Sequence, residues 1–283
     1  MIEVTGTGQA CGAFIRGVDF SKEVDEDVIN EIRTHWLEHH VVIFPDQKLS
    51  NDDLVRVARY FGPIGDDPFI GPIEDHDLVA AIHRKADEKG KLFADNWHSD
   101  WSFQEQPPAA TCLYGIKIPP HGGDTLFSNQ HLALEKMPAA MRAKYEGKMA
   151  VHSAHHAYAD DGMYADENYD GAMNIKTSSE ASAQQTHPII RAHPESGKSG
   201  FMGGSYVVDF ENLDKKEARN LMRELYEWQG HDEFVYRHKW EPDMLVLWDN
   251  RSVLHQATGG FEGYERLLHR LTIDDDPSYY VKS

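Results

Sequence analysis

Short runs of strand-forming residues, separated by turn residues, dominate the chain from residue 107 onward and constrain its fold more than any other feature. Gly, Pro or Asp stands between several of these runs, which span residues 110–118, 125–128, 187–193, 200–203, 234–240 and 244–248. Such runs are typical of antiparallel sandwiches and jelly rolls. The regular alternation of strands with helices that characterises a parallel sheet is missing from the sequence.

A few helices are predicted beside these strands. Residues 23–40 place apolar side chains at helical spacing, and the run Val41–Phe44 then predicts a buried strand. Ser50 is a candidate N-cap for a helix that reaches about residue 60, and a further helix is predicted at 215–229. The sequence therefore predicts a mainly β fold with flanking helices, in one domain spanning residues 1–283. Residues 157–185, rich in Asp, Ala, Ser and Tyr, are predicted to form a long loop or lid.

The charge balance of the chain limits the kinds of molecule that the protein is expected to bind. Lys and Arg number 28 against 47 Asp and Glu, which gives a formal net charge of −19 and argues against nucleic acid or an anionic membrane as the main partner. No stretch approaches the roughly 18 apolar residues of a membrane-spanning helix, and the first residues lack the layout of a signal peptide. Two cysteines exclude a disulfide framework and a Cys-rich zinc site. We therefore expect a cytoplasmic protein that acts on a small molecule.

One short segment has the residue types of a metal site. His98 and Asp100 lie two residues apart, so on an extended strand both side chains leave the same face. In a chain with 17 histidines such a triplet is expected by chance, and alone it is a weak signal. His255, just beyond the predicted strand 244–248, could supply a third ligand, or it could be a surface histidine. Two histidines and one carboxylate form the facial triad of non-haem Fe(II) oxygenases.

Two arginines follow this candidate ligand set. Arg266 and Arg270 share a face if residues 264–273 form a strand. The planar guanidinium group matches a carboxylate, so a pair of arginines facing a cavity would bind a dianion well. Exposure of both arginines at the surface is the alternative.

The order of these motifs resembles a known family. The chain carries His98-Ser-Asp100, then Gly-Gly-Asp-Thr at 122–125, Trp-Asp-Asn-Arg at 248–251, His255 and Arg266. This series is similar to that of the taurine dioxygenase and 2,4-dichlorophenoxyacetate dioxygenase family of Fe(II)- and 2-oxoglutarate-dependent oxygenases. The resemblance extends from Gly-Val-Asp-Phe at 17–20 to Leu-Thr-Ile at 271–273. It is carried by the order and spacing of the motifs together.

The resemblance implies a fold, a chemistry and residue roles. The implied fold is the double-stranded β-helix, a jelly roll with flanking helices. His98, Asp100 and His255 would hold Fe(II). Arg266 and Thr125 would bind the distal carboxylate of 2-oxoglutarate. With O2 as the other co-substrate, the products would be succinate, CO2 and a hydroxylated substrate that can fragment. The carboxylate of Asp100 argues against halogenation, because related halogenases lack this residue.

The resemblance says less about the substrate than about the metal and the co-substrate. Taurine-type members carry a histidine shortly after the Phe-Gly that corresponds to residues 61–62, and residues 61–69 contain none. Phe93, Asn96, Trp101 and Tyr206 are expected near the substrate, although Phe93 and Trp101 could equally be core aromatics. Arg270 would line the 2-oxoglutarate pocket and could meet an anionic group of the substrate. The expected substrate is a small organic acid: an aryloxy acid, a sulfonate or a related anion.

Three alternatives stand beside this reading. Asp66 and Asp67 could bind a cationic substrate group, although a solvated acidic turn is the simpler interpretation. The protein could be a metal-binding jelly roll without redox chemistry, such as a zinc hydrolase or a cupin-like isomerase, and a non-catalytic binding module is a further alternative. A homo-oligomer, either a dimer or a tetramer, is expected because members of the family often form them.

Overall fold

The computed structural model describes residues 1–165 and 171–281 of the chain. These residues form sixteen strands, β1 Glu3–Gly6, β2 Ala13–Arg16, β3 Val41–Phe44, β4 Pro72–Ile73, β5 His76–Arg84, β6 Ala110–Lys117, β7 Thr125–Asn129, β8 Met149–Ser153, β9 Gln184–Pro188, β10 Ile190–Ala192, β11 Ser199–Phe201, β12 Val207–Phe210, β13 Val235–His238, β14 Leu245–Asp249, β15 Val253–Ala257 and β16 Arg266–Ile273. The helices are α1 Glu26–His39, α2 Asn51–Arg59, α3 Gln130–Lys136, α4 Ala139–Arg142, α5 His155–Tyr158 and α6 Lys215–Gln229.

Two sheets form the sandwich that carries the site. The larger has eight strands in the order β1-β2-β3-β14-β6-β16-β5-β4, and the smaller has three in the order β13-β7-β15. Two further small sheets, β12-β8-β9 and β10-β11, complete the described strands. Within residues 1–165 and 171–281, β2 and β3 are the one parallel pair. The predicted mainly β jelly-roll architecture with flanking helices is confirmed.

Strand β3 shows why the larger sheet is central to the core. Its four residues are all fully buried, and successive side chains leave opposite faces of the sheet. Val41 and Ile43 face the smaller sheet in the cluster that contains Phe127, whereas Val42 and Phe44 pack with residues of α1 and α2. A run of four apolar residues is the pattern expected of a strand that is covered on both faces.

The helices begin and end close to their predicted positions. Helix α2 starts with a capping box, in which Ser50 accepts from the backbone N–H of Asp53 and the Asp53 carboxylate accepts from that of Ser50. Helix α6 spans Lys215–Gln229, as predicted, and buries Leu221 and Leu225. In the parts of the chain that the structure describes, no helix combines the length and the apolar character needed to cross a membrane.

Some segments differ from the sequence prediction or lie partly outside the described residues. The single strand predicted at 187–193 is two strands, because β9 pairs with β8 while β10 pairs with β11. Strand β5 was not predicted, since its sequence contains polar residues as well as apolar ones. The predicted lid at 157–185 begins at the end of α5 and contains a short 3₁₀ helix, Ser179–Ser182, but residues 166–170 lie outside the described part.

Buried ion pairs connect helix α1 to the end of β14. The Glu195 carboxylate accepts from Arg33 at 2.9 Å through two nitrogens and from Arg251 at 2.8 Å. Arg251 also pairs with Asp249 at 2.9 Å, and His193 lies 2.8 Å from the same carboxylate. Burial would raise the pKa of Asp249, but Arg251 and His193 hold that pKa well below its usual value. The network balances charge that would otherwise be unpaired in the protein interior.

The substitution Glu195→Gln tests this network. It leaves Arg33 and Arg251 without their shared carboxylate, so we expect a loss of about 3 kcal/mol in the free energy of unfolding. Chemical denaturation of the purified proteins measures this loss. The exposed pair of Glu146 with Arg142 provides the matched control, and Glu146→Gln should change the free energy by less than about 1 kcal/mol. Equal losses in the two variants would contradict a stabilising role for the buried network.

Candidate active site

The three predicted metal ligands converge at one edge of the smaller sheet. His98 and Asp100 lie in the connection from β5 to β6, and His255 lies in β15. The backbones of His98 and His255 exchange two hydrogen bonds, of 3.1 and 2.8 Å, which fix the connection against β15. The Oδ1 atom of Asp100 is 3.8 Å from Nε2 of His98 and 3.7 Å from Nε2 of His255. The predicted grouping is therefore present in the fold, and all three side chains are buried.

The protonation states of these residues suit a divalent metal. Nδ1 of His98 is 2.8 Å from the backbone oxygen of Asn96, so this nitrogen carries the proton and Nε2 presents its lone pair to the centre. Burial lowers the pKa of His98, and it places the pKa of His255 well below the usual value. Burial raises the pKa of Asp100, but Arg270 and the two histidines bring it below its usual value. Two neutral imidazoles and one carboxylate fit Fe(II).

A second group with metal-ligand spacing lies elsewhere. His35, Glu38 and His39 occupy one face of α1, and their ligand atoms also lie within 4.8 Å of one another. Glu38 is exposed and both histidines are partly exposed. This group lacks the burial that distinguishes the group at Asp100.

Hydrogen bonds behind Asp100 fix its orientation. Thr111 Oγ1 donates to Oδ2 of Asp100 at 2.6 Å and accepts from Nδ2 of Asn250 at 3.0 Å. Trp248 Nε1 in turn donates to Oδ1 of Asn250 at 2.8 Å. The hydrogen bond from Thr111 thus holds Oδ2 of Asp100, and Oδ1 is directed toward the two histidines. Sequence reasoning did not find Thr111, although a hydroxyl in the otherwise apolar start of β6 was a usable signal.

Arg270 lies against the carboxylate of Asp100 and is buried. Its two terminal nitrogens are each 3.2 Å from an oxygen of Asp100, and its Nε donates to Oδ1 of Asp67 at 3.0 Å. Asp67 also accepts from Nε1 of Trp101 at 2.8 Å. Asp67 is therefore an ion-pair partner of Arg270. The sequence had suggested either a site for a cationic substrate group or a solvated acidic turn at residues 66–67, and it had not predicted this pair.

Arg266 has a different environment from Arg270. It is buried, and its Nε donates to the backbone oxygen of Gly123 at 3.1 Å. Within residues 1–165 and 171–281, no carboxylate lies within ion-pair distance of Arg266. Burial lowers the pKa of Arg266 to about 10, against the opposing influence of Asp124, so the group stays charged at neutral pH. A buried cation without a carboxylate partner suits an anionic ligand.

The glycine before β7 allows this arrangement. Gly123 has a φ of +66°, and a Cβ added there would lie 3.1 Å from Cδ and Nε of Arg266. Glycine therefore permits both the left-handed backbone and the close approach of the arginine. Two residues further on, the Thr125 hydroxyl accepts from Nε1 of Trp240 at 3.0 Å, which fixes its oxygen.

A small cavity of about 40 Å³ lies beside His98. Phe93, Asn96 and Tyr206, all predicted to lie near the substrate, line it. Tyr158 and Tyr164, from the start of the predicted lid, also line it, as does Asp95, and the Tyr-rich composition of 157–185 was the signal for the two tyrosines. The ring of Tyr206 meets that of His98 edge-on, with centroids 6.2 Å apart. The enclosed volume accommodates a few water molecules.

Trp101, the remaining aromatic residue predicted near the substrate, is not part of the cavity wall. It is 2% exposed and packs edge-on against Phe69, Phe103 and Tyr158. Its φ of +45° is uncommon for a residue other than glycine. This backbone conformation directly follows the proposed ligand Asp100.

Comparisons with known proteins identify the family of the chain. A family model described as "Taurine catabolism dioxygenase TauD, TfdA family" matches residues 3–272. Pentalenolactone F synthase of Streptomyces avermitilis is 30% identical over 290 residues, which cover 96% of this chain and 94% of that protein. The alpha-ketoglutarate-dependent 2,4-dichlorophenoxyacetate dioxygenase of Cupriavidus pinatubonensis is 31% identical over 280 residues, covering 93% and 94%.

A solved structure is also similar. The crystal structure of a putative alpha-ketoglutarate-dependent 2,4-D dioxygenase from Burkholderia xenovorans superposes with a TM-score of 0.81 at 28% identity, and covers 99% of this chain and 100% of that one. The likeness therefore extends over the whole sandwich and over the region that holds His98, Asp100 and His255.

Replacing Thr111 with valine tests the support behind Asp100. The nearly isosteric change removes the hydrogen bond to Oδ2, and we expect Fe(II) affinity to fall by about 10- to 100-fold. Anaerobic competition with a chromogenic iron chelator measures this affinity. Thr34→Val, on the exposed face of α1, makes the same chemical change away from the site and should bind Fe(II) like the wild type. Unchanged affinity in Thr111→Val would show that Thr111 does not position the carboxylate.

Proposed function

The chain belongs to the taurine catabolism dioxygenase TauD, TfdA family, and we propose that it oxidises a small organic acid with an aromatic or apolar body. It is an Fe(II)- and 2-oxoglutarate-dependent dioxygenase, an oxidoreductase that uses O2 as its other co-substrate. The observation that carries the proposal is the buried group His98, Asp100 and His255 on the same sandwich as Arg266, which lacks a carboxylate partner among the described residues.

The proposed residue roles follow from charge and hydrogen bonding. His98, Asp100 and His255 would hold Fe(II), and Arg266 with Thr125 would bind the distal carboxylate of 2-oxoglutarate. When bound, the iron and 2-oxoglutarate supply an oxidation by O2 that yields succinate, CO2 and a hydroxylated product. A guanidinium group can form paired hydrogen bonds with a carboxylate, and the burial of Arg266 would strengthen that interaction with 2-oxoglutarate.

The walls of the cavity support a substrate with an apolar or aromatic body. Phe93 and Tyr164 pack with ring centroids 5.8 Å apart, and Tyr158 and Tyr164 with centroids 5.4 Å apart. The relative from Cupriavidus is named for an aryloxy acid, 2,4-dichlorophenoxyacetate. Because the cavity holds only a few waters, the part of the proposed lid that lines it, residues 157–164, would move to admit a substrate, and its return would exclude water from the reaction.

The environment of the protein is part of the proposal. Cys11 and Cys112 are free and buried, and burial raises the pKa of the Cys112 thiol to about 12. Two protonated, separate thiols are compatible with the reducing cytoplasm that we propose as the location. The proposed dimer or tetramer is carried over from the resemblance to the family.

Binding of 2-oxoglutarate tests the proposed function directly. Anaerobic addition of Fe(II) and then 2-oxoglutarate should produce the weak visible charge-transfer band of the chelated co-substrate. Arg266→Gln should lower the affinity for 2-oxoglutarate by about 100-fold, because the buried partner of the distal carboxylate is lost. Titration of the band gives both affinities. The exposed Arg16→Gln serves as the control and should leave the titration unchanged.

Three other outcomes decide against the proposal. Iron binding without the band would favour a metal-binding jelly roll without redox chemistry, and product formation in the absence of O2 would identify such an enzyme. Consumption of 2-oxoglutarate by His98→Ala at the wild-type rate would refute the assigned ligands.

A further inference from the structure

The charge of Arg270 is balanced within the protein. The guanidinium donates to Asp67, to Oδ1 of Asp100 and, through Nη2, to Thr272 at 3.0 Å, and Nη2 also lies 3.2 Å from Oδ2 of Asp100. Three of its five N–H groups therefore have hydrogen-bond partners, and the side chain is 4% exposed. Few N–H groups of Arg270 are therefore left to bind an anionic group of a substrate.

Asp67 is held firmly in this position. Its Oδ1 accepts three hydrogen bonds, from Arg270 at 3.0 Å, Trp101 at 2.8 Å and Thr272 at 2.7 Å. The Asp67 side chain is 10% exposed, whereas the neighbouring Asp66 is exposed to solvent. The two acidic residues therefore differ, and only Asp67 contributes a carboxylate to the charge system around Asp100.

Arg270 is also close to the cavity beside His98. Its terminal nitrogens lie 3.2 Å from the Asp100 oxygens, and Oδ1 of Asp100 is 3.8 Å from Nε2 of His98, which lines that cavity. Because Arg270 lies within electrostatic reach of the cavity wall, the carboxylate paired with it affects which ligands the cavity accepts.

Building on the proposed function, we infer that Asp67 occupies the place of a substrate's anionic group on Arg270 and thereby sets the preference of the site between acids and uncharged molecules. An acid that approaches Arg270 either displaces Asp67 or faces the two carboxylates of Asp67 and Asp100. Like charges in such proximity weaken binding, so Asp67 lowers the affinity for acids. An uncharged ligand of the same shape does not have this disadvantage. Asp67 is therefore a specificity-determining residue.

The substitution Asp67→Asn separates charge from structure. Asparagine keeps an oxygen that can accept from Trp101 and Thr272, and it removes the negative charge beside Arg270. Asp66→Asn makes the same change in net charge one residue away, on an exposed side chain, and is the matched control.

The experiment compares two probes of one shape, 2,4-dichlorophenoxyacetate and its uncharged primary amide. Each is titrated anaerobically by calorimetry into the complex of the protein with Fe(II) and 2-oxoglutarate. In Asp67→Asn we expect the Kd of the acid to fall by about tenfold and that of the amide to stay within about twofold. Asp66→Asn should match the wild type for both probes. Asp67→Ser removes the same charge, and it replaces Asp67→Asn if that variant does not fold.

Several results would overturn the inference. These are an unchanged ratio of the two Kd values, an equal change for both probes, and weaker or absent binding of the acid to the variant. The last result would mean that Asp67 positions Arg270 for an anion instead of competing with it. The proposed function is assessed separately by the 2-oxoglutarate band. If the band is missing from the wild type, the proposed function fails, whereas a normal band with an unchanged ratio refutes only the role of Asp67.

Discussion

Burial of the Asp100 carboxylate is the constraint on which the rest of the site depends. An isolated carboxylate at this depth would be strongly unfavourable, so it has to be hydrogen-bonded and paired with positive charge. Thr111 and Arg270 meet this need, and a bound divalent metal adds to it. Arg270 introduces a second buried charge, which Asp67 balances in turn. Trp101 takes part in the same charge balance, because its indole donates to Asp67. Its backbone has a positive φ at this position, directly after Asp100.

The segment Trp-Asp-Asn-Arg at 248–251 connects two charge systems at the end of β14. Trp248 and Asn250 reach Asp100 through Thr111, whereas Asp249 and Arg251 join the network of Glu195. Successive residues at the end of a strand point in alternate directions, so one short motif can serve both sides of the sheet. This explains in physical terms why four polar or amphipathic residues follow directly on a buried strand.

Local sequence patterns predicted the parts of the fold that depend on local physics. The run Val41–Phe44 and the helix Lys215–Gln229 were predicted because burial on both faces and helical periodicity leave clear signals. Strands β9 and β10 were merged although Pro188 ends β9, because the two strands pair with different partners and no local pattern shows this. The spacing of His98 and Asp100 indicated a shared face, and His255 was a candidate third ligand that the family motifs favoured over a surface histidine. The pairing of Asp67 with Arg270 spans 203 residues, and no local pattern reports such a contact.

Arg266 and Arg270 illustrate how one strand can carry two functions. They lie four residues apart on β16, and both are buried. Their chemistry differs because their neighbours differ: Arg266 meets the backbone of Gly123, whereas Arg270 meets Asp67 and Asp100. Arg266, a buried cation without a carboxylate partner among the described residues, favours a ligand that carries a carboxylate. 2-Oxoglutarate, the co-substrate, is such a ligand. Arg270 is already neutralised by carboxylates of the protein, so recognition of the substrate depends on the aromatic residues that line the cavity. The arrangement thus separates the proposed site of the co-substrate, at Arg266, from the proposed site of the substrate.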